Sequence, residues 1–170
     1  MTPLIQTEAY ERWLTLTENN RPEIFEAFDS LWEKQGKVIR EVSENFEIYH
    51  SGRIISHTYL DDKPIFGSEF KEEAEDYLNF DGPSQRSLCT FQTLRTCKFA
   101  YLGGSFLENG FSDFLWSKGI TEDQLRAISA REWAASKVID GWYRDIGKGE
   151  MLVFRPLQTL SLCSVQMVQK

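Results

Sequence analysis

The sequence is poor in the residues that metal-dependent and thiol-dependent chemistry needs. It holds three cysteines and two histidines among 170 residues. There is no CxxC pair, no HExxH helix and no carboxylate-rich calcium loop, so the common zinc and calcium sites are not expected. The GxGxxG, GxxxxGK[ST] and GxSxG motifs are also missing, which argues against a doubly wound dinucleotide fold, a P-loop nucleotidase and an α/β-hydrolase. Candidate chemistry is therefore left to carboxylates, aromatic side chains and the histidines.

Positive charge and long apolar runs are scarce as well. Nineteen Lys and Arg oppose 26 Asp and Glu, a net charge of −7, so the chain has no general attraction for nucleic acid or anionic lipid. No stretch approaches the roughly 18 consecutive apolar residues of a membrane helix, and the first residues do not resemble a secretory signal. Three cysteines without a pairing pattern, Cys89, Cys97 and Cys163, are typical of a reducing compartment. We expect a cytoplasmic protein whose partner is a protein or a small molecule.

The spacing of apolar residues predicts one mixed α+β domain over residues 1–170. Helical spacing from Thr7 to about Ser43 predicts two or three helices, forming an N-terminal extension over residues 1–45. Alternation begins at Phe46 and predicts a strand that ends at the turn Ser51-Gly52. Further strands are predicted at 65–67, 88–94, 98–102, 139–143, 151–154 and 160–168, with helices after Ser68 and across 106–137. Runs of helices and strands in this order are typical of the α+β class.

His50 is the first residue that could carry chemistry. It ends the predicted strand before Ser51-Gly52, and a glycine there lets a ligand approach the backbone closely. The ordinary alternative is a half-buried histidine that hydrogen-bonds its own turn.

The second candidate segment runs from Pro64 to Tyr77. Phe66 lies on a short predicted strand, Ser68 is placed to cap the following helix, and Tyr77 lies on that helix. Two aromatic rings on one wall of a cleft could hold a flat cationic ring such as nicotinamide. Packing of both rings in the core is the alternative.

Glu150 is the candidate catalytic residue. It follows the glycine-bearing loop 144–149 and directly precedes the apolar strand 151–154. A carboxylate in this position is held on rigid backbone with solvent on one side. The alternative is an exposed residue at the start of a strand.

The order of these pieces resembles the ADP-ribosyltransferase fold, in the branch with a His–Tyr–Glu triad that includes diphtheria toxin and the poly(ADP-ribose) polymerases. Ile48–Gly52 is similar to the first core strand of that family, Ile65–Ser68 with Tyr77 to its aromatic and helical segment, and Glu150 to its catalytic glutamate. Small bacterial and phage enzymes of toxin or effector type share this plan. The resemblance covers about residues 46–168 and implies a split, mixed or antiparallel β-sheet core.

The resemblance implies an NAD-dependent mono-ADP-ribosyltransferase that breaks the nicotinamide–ribose bond and transfers ADP-ribose to a macromolecular acceptor, preferably a protein. NAD would be the substrate, Glu150 the catalytic residue, and no metal is implied. Binding of NAD would fall to His50, Gly52, Phe66, Ser68 and Tyr77.

Two departures from the family pattern shape this assignment. Phe66 stands where the family commonly has tyrosine, so Tyr77 becomes the candidate tyrosine of the triad. Lys148 stands where the arginine-modifying branch often has Glu or Gln, which speaks against arginine as the acceptor.

Other functions stay open at the level of sequence. An NAD glycohydrolase would use the same residues. A non-enzymatic interaction protein of the inhibitor or immunity type would keep the aromatics as core and interface and make Glu150 ordinary. Transfer of a tRNA 2′-phosphate to NAD on a related fold would call for more basic residues than this acidic chain holds.

Overall fold

The computed structural model describes residues 4–52, 64–78, 86–102, 111–143 and 149–168. In these ranges the helices are α1 (Leu4–Leu16), α2 (Arg21–Lys34), α3 (Lys71–Leu78), α4 (Phe111–Ser117), α5 (Asp123–Ala134) and α6 (Pro156–Thr159). The strands are β1 (Ile39–Val42), β2 (Glu47–Gly52), β3 (Ile65–Ser68), β4 (Arg86–Thr93), β5 (Cys97–Tyr101), β6 (Gly141–Tyr143), β7 (Glu150–Val153) and β8 (Leu160–Val168). The predicted α+β class is confirmed.

The strands form one mixed sheet in which the pairing between β2 and β3 is very short. Their order is β1-β5-β6-β7-β3-β2-β4-β8, and the β5–β6 pair is parallel while the other pairs are antiparallel. β2 pairs with β4 over six residues and β3 with β7 over four, whereas β2 and β3 pair, within the described residues, at Tyr49 and Ser68 alone. The sheet therefore splits between β2 and β3 into a five-stranded half and a three-stranded half.

One face of the five-stranded half carries most of the helices. Trp142, Leu152 and Phe154 project from β6 and the β7 region into a buried cluster with residues of α1, α2, α4 and α5, here called the helix-side core. Inside it the indole Nε1 of Trp13 donates a hydrogen bond to Ser129 Oγ at 2.7 Å. Because both groups are buried, this bond satisfies two polar atoms that would otherwise lack a partner.

The other face of the sheet folds onto itself. Val42 of β1, Ile48 of β2, Met151 of β7 and Leu160 of β8 belong to one buried cluster, here called the inner core. Strands from both ends of the strand order contribute to it, so the sheet curls around these side chains. The curl brings residues of β1 close to the end of β3.

The N-terminal prediction is right for α1 and α2 but wrong for residues 38–42. Ile39–Val42 is strand β1, paired with β5. Gly36 and Lys37 both adopt positive φ, +81° and +53°, which ends the helix and turns the chain. The β-branched residues that follow suit an extended strand at a sheet edge.

Two smaller differences concern turns and short elements. Ser51-Gly52, predicted as a turn, continues β2 as strand residues paired with β4. The four-residue helix α6 was not predicted, because it is too short to show a period. The start of the helical stretch predicted across 106–137, residues 106–110, lies outside the described residues. No helix in the described ranges combines the length and apolarity needed to cross a membrane.

Candidate active site

His50 lies on β2 at the split in the sheet. Its Nδ1 is hydrogen-bonded to the backbone carbonyl of Phe66 on β3. The His50 side chain thus links β2 to β3 at the split, where neighbouring strands are otherwise linked by backbone hydrogen bonds. Since a carbonyl can only accept, Nδ1 carries the proton, and Nε2 is the acceptor atom of the neutral ring.

Gly52 leaves room for this imidazole. A Cβ at position 52 would lie 2.5 Å from His50 Nε2, so a larger residue would displace the ring. The carbonyl of Gly52 accepts a hydrogen bond from Ser87 Oγ at 2.8 Å, which fastens the end of β2 to β4. We predicted Gly52 as a point of ligand approach, and its immediate neighbour in the structure is the histidine ring.

Glu150 and Ser68 stand directly opposite each other. Glu150 begins β7 and Ser68 ends β3, and the two are register partners. Partners in an antiparallel pair share a face and hold their Cβ atoms roughly 4.5–5.5 Å apart. Glu150 is half-buried and Ser68 is buried. The Ser68 Oγ accepts the backbone N–H of Phe70 at 3.0 Å, in line with its predicted role at the start of α3.

Phe66 lies on the same face of β3 as Ser68, two residues earlier. Its ring is half-buried and packs against the helix-side core. Part of the Phe66 ring surface is therefore buried in core packing, and the rest is exposed. Tyr77 lies on α3, but its side chain lies outside the described part of the chain, so the predicted pair of aromatics stays a prediction.

The pair Ser68–Glu150 lies between two groups of helices. α3 covers β2 and β4, where Ala74 packs with Leu88 and Tyr49. The helix-side core covers β6 and the far end of β7. Tyr49 is the register partner of Ser68, so both helix groups lie on the face that carries Glu150.

His50 and Glu150 are near in the sheet but do not share a face. Their strands are two positions apart, which is about 10 Å at the usual strand spacing. Strand alternation puts His50 on the face of its register partner Cys89, in the inner core, and Glu150 on the face of Leu152. A ligand that contacts both residues must therefore be extended, and it must reach both faces of the sheet at the split between β2 and β3.

An ion pair next to Glu150 was not predicted. Arg40 of β1 forms a two-point salt bridge with Glu69, which directly follows β3. These hydrogen bonds raise the pKa of Arg40 above its usual value. The guanidinium also lies over the rings of Phe46 and Tyr143, at 5.5 and 5.8 Å. The two residues are 29 positions apart, and no local pattern signals their contact.

Gly149 links this ion pair to Glu150. Its carbonyl accepts the backbone N–H of Glu69 at 3.0 Å, and its φ is +55°. A Cβ here would lie 2.5 Å from Glu69 Cγ and 2.8 Å from Phe70 Cδ2. Glycine is therefore required both by the left-handed backbone and by the close approach of two side chains. The backbone directly before Glu150 is therefore constrained at Gly149.

Thiol and metal chemistry find little support in the described ranges. There, no three His, Cys, Asp or Glu side chains gather in a way that could hold a metal ion. Burial raises the pKa of the Cys89 thiol and raises that of Cys97 to about 11. Both thiols stay protonated at neutral pH and are poor nucleophiles.

Comparison with known proteins adds one structural likeness. No protein-family model matches the chain, and no curated protein matches it. A solved structure that is similar is a chain of the MbcT–MbcA toxin–antitoxin complex of M. tuberculosis, at 11% sequence identity, covering 86% of this chain and 92% of that chain with a TM-score of 0.45. At this TM-score the likeness carries no argument about function.

Proposed function

We propose that this protein is an NAD-dependent mono-ADP-ribosyltransferase that transfers ADP-ribose to a protein acceptor. The observation that carries the proposal is the Ser68–Glu150 pair, set beside a split in the sheet that His50 bridges. The order of these residues along the chain is the feature by which the sequence resembles the family. An extended dinucleotide is the kind of ligand that could contact both His50 and Glu150.

Glu150 would act on the reacting sugar. When the bond between the nicotinamide nitrogen and ribose C1′ breaks, the bonding pair leaves with nicotinamide and positive charge develops on the ribose. A carboxylate that accepts a hydrogen bond from the 2′-hydroxyl binds this oxocarbenium-like state more tightly than the ground state. The acceptor then attacks C1′ and loses its proton. Glu150 is half-buried at the start of β7, so its backbone is held by the sheet while a ligand can still reach the side chain.

The other candidate residues would position NAD. His50, with Nδ1 engaged by Phe66, would use Nε2 to accept from a ribose hydroxyl. Tyr77 on α3 would stack on nicotinamide, with Phe66 contributing the exposed part of its ring. Ser68 would border the sugar opposite Glu150. The set combines an acceptor, a hydroxyl, a carboxylate and aromatic surface, which suits a dinucleotide and requires no metal.

The decisive experiment compares NAD turnover by the wild type and by Glu150→Gln. Glutamine keeps the size of the side chain and removes its charge, so we expect turnover to fall by about 10²-fold or more with the melting temperature little changed. Glu41→Gln is a matched control, because Glu41 is an exposed residue of β1 and its loss should leave turnover intact. Equal turnover in the wild type and Glu150→Gln would refute the mechanism.

Labelled NAD added to a cell lysate separates transfer from hydrolysis. Label on a protein supports transfer, whereas free ADP-ribose without labelled protein would make the enzyme a glycohydrolase. Thermal unfolding with millimolar NAD tests binding by itself, because a ligand that binds the native state raises the melting temperature. No shift and no turnover would favour a non-enzymatic interaction protein.

A further inference from the structure

Strand β8 forms one edge of the sheet. It stands last in the strand order and pairs with β4 along its length, from Leu160 to Val168. No other strand among the described residues pairs with it. In an antiparallel pair every second residue directs its backbone N–H and C=O away from the partner strand. β8 therefore presents a row of backbone donors and acceptors on its outer side.

The exposed part of β8 begins at the middle of the strand. Leu160, at its start, is fully buried in the inner core. Four later residues are exposed: Cys163, Ser164, Gln166 and Met167. The pairing with β4 skips Cys163, and a bulge of this kind bends the strand. The regular stretch beyond the bulge is Ser164–Val168, here called the open edge.

The open edge lacks the features that usually protect the edge of a sheet. Proteins shield edge strands by keeping them short, by bulges, or by placing charged residues or proline on them. The opposite edge follows this rule, because β1 has four residues and two of them, Arg40 and Glu41, are charged. β8 has nine residues without a charge or a proline, in a chain of which 26% is charged. Its bulge at Cys163 precedes the open edge and leaves it unshielded.

A second copy of the chain is the partner that suits this edge. Each copy has a net charge of −7, and the repulsion between two copies is weakest where they meet through neutral surface. β4 and β8, the two outermost strands on this side, contain one charged residue, Arg86. A strongly charged partner would find little counter-charge here. We propose that two copies pair antiparallel along the open edge, so that their two sheets become one.

The open edge is complementary to its own reverse. With a two-fold axis at Gln166, all five residues pair: Gln166 faces its own counterpart, Val165 faces Met167, and Ser164 faces Val168 of the other copy. Register partners share a face of the sheet. Val165 packs against the inner core and Met167 is 49% exposed, so pairing covers Met167 with an apolar neighbour. Gln166 lies on the other face, where two facing amides exchange hydrogen bonds.

Sedimentation velocity on the full chain, from micromolar to millimolar concentration, tests the pairing. The wild type should pass from monomer to dimer in this range, because so short an edge buries less than the roughly 1,200–2,000 Å² of a stable interface. Gln166→Lys should weaken the dimer by about tenfold or more, because two like charges then face each other across the axis. Gln166→Glu should weaken it in the same way. An equimolar mixture of the two variants should dimerise again, because lysine then faces glutamate.

Gln158→Lys is the matched control. It makes the same change at an exposed position of α6 and should leave the dimer intact. Added positive charge reduces the general repulsion between acidic chains, so weaker association of Gln166→Lys reports the local contact. Circular dichroism checks that each variant is folded.

Three results would overturn the proposal: a wild type that stays monomeric at millimolar concentration, equal association of the wild type and both Gln166 variants, or a mixture that associates no better than either variant alone. The pairing of two copies does not depend on whether Glu150 is catalytic, and NAD is absent from the measurement. Failure of either proposal is therefore seen separately.

Discussion

Gly149→Ala adds a side chain at the residue directly before Glu150. At a φ of +55° a side chain costs about 1–2 kcal/mol. The new Cβ would overlap Glu69 Cγ and Phe70 Cδ2, at 2.5 and 2.8 Å, and overpacking of this kind costs about 1–3 kcal/mol. Loss of chain freedom in the unfolded state offsets roughly 0.4–1 kcal/mol. We expect Gly149→Ala to lower the free energy of unfolding by about 2–4 kcal/mol.

Gly36→Ala separates the two causes. Gly36 also has a positive φ, +81°, but a Cβ there would meet Val38 Cγ2 at 3.8 Å, which is ordinary contact. This variant keeps the conformational cost and removes the overlap, so it should lose about 1 kcal/mol or less. The difference between the variants, about 1–3 kcal/mol, measures how tightly Glu69 and Phe70 pack on Gly149.

Urea unfolding followed by tryptophan fluorescence gives both free energies. In thermal unfolding, Gly149→Ala should lower the melting temperature by roughly 5–15 °C for a chain of this size. Equal stability of the two variants would refute the packing of Glu69 and Phe70 against Gly149. If Glu150 is catalytic, Gly149→Ala should also lose NAD turnover in the protein that remains folded, because the carboxylate moves with the backbone.

Two further predictions concern buried groups. Ser129→Ala leaves the buried indole N–H of Trp13 without its 2.7 Å acceptor and should lower the free energy of unfolding by about 1–3 kcal/mol in urea. The control Thr15→Ala removes an exposed hydroxyl and should change stability little. Similar losses in both variants would contradict the role of the Trp13–Ser129 hydrogen bond. The Cys97 thiol has its pKa raised from 9.0 to about 11 by burial, so the unfolded state ionises first and stability should fall as pH rises from about 9 to 11. Urea unfolding at pH 8 and pH 10.5 should show a smaller fall in Cys97→Ala, and an identical fall would contradict the argument.

Local patterns predicted element types well where one period was clear. Ile65–Ser68 is a strand and a helix follows it with Ser68 at its entry, as the spacing indicated. The segment 38–42 was predicted as helix, because Val38, Ile39 and Val42 continue the helical spacing, and the structure shows a strand there. It became β1 because β5 offers an edge on which its backbone groups can pair. Pairing of this kind depends on a partner 59 residues away (Arg40 with Phe99, sequence numbers 99 − 40), which no local window contains.

The sequence by itself determined which residues are candidates: a carboxylate before an apolar strand, a histidine beside glycine and an aromatic strand before a helix. Tertiary structure alone decided how they meet. Ser68 faces Glu150 through the β3–β7 register, and His50 reaches the Phe66 carbonyl because β2 and β3 barely pair. Arg40 reaches Glu69 because the sheet curls around the inner core. Register and curl arise from side chains far apart in the chain packing together, so they exist only once the whole sheet has formed.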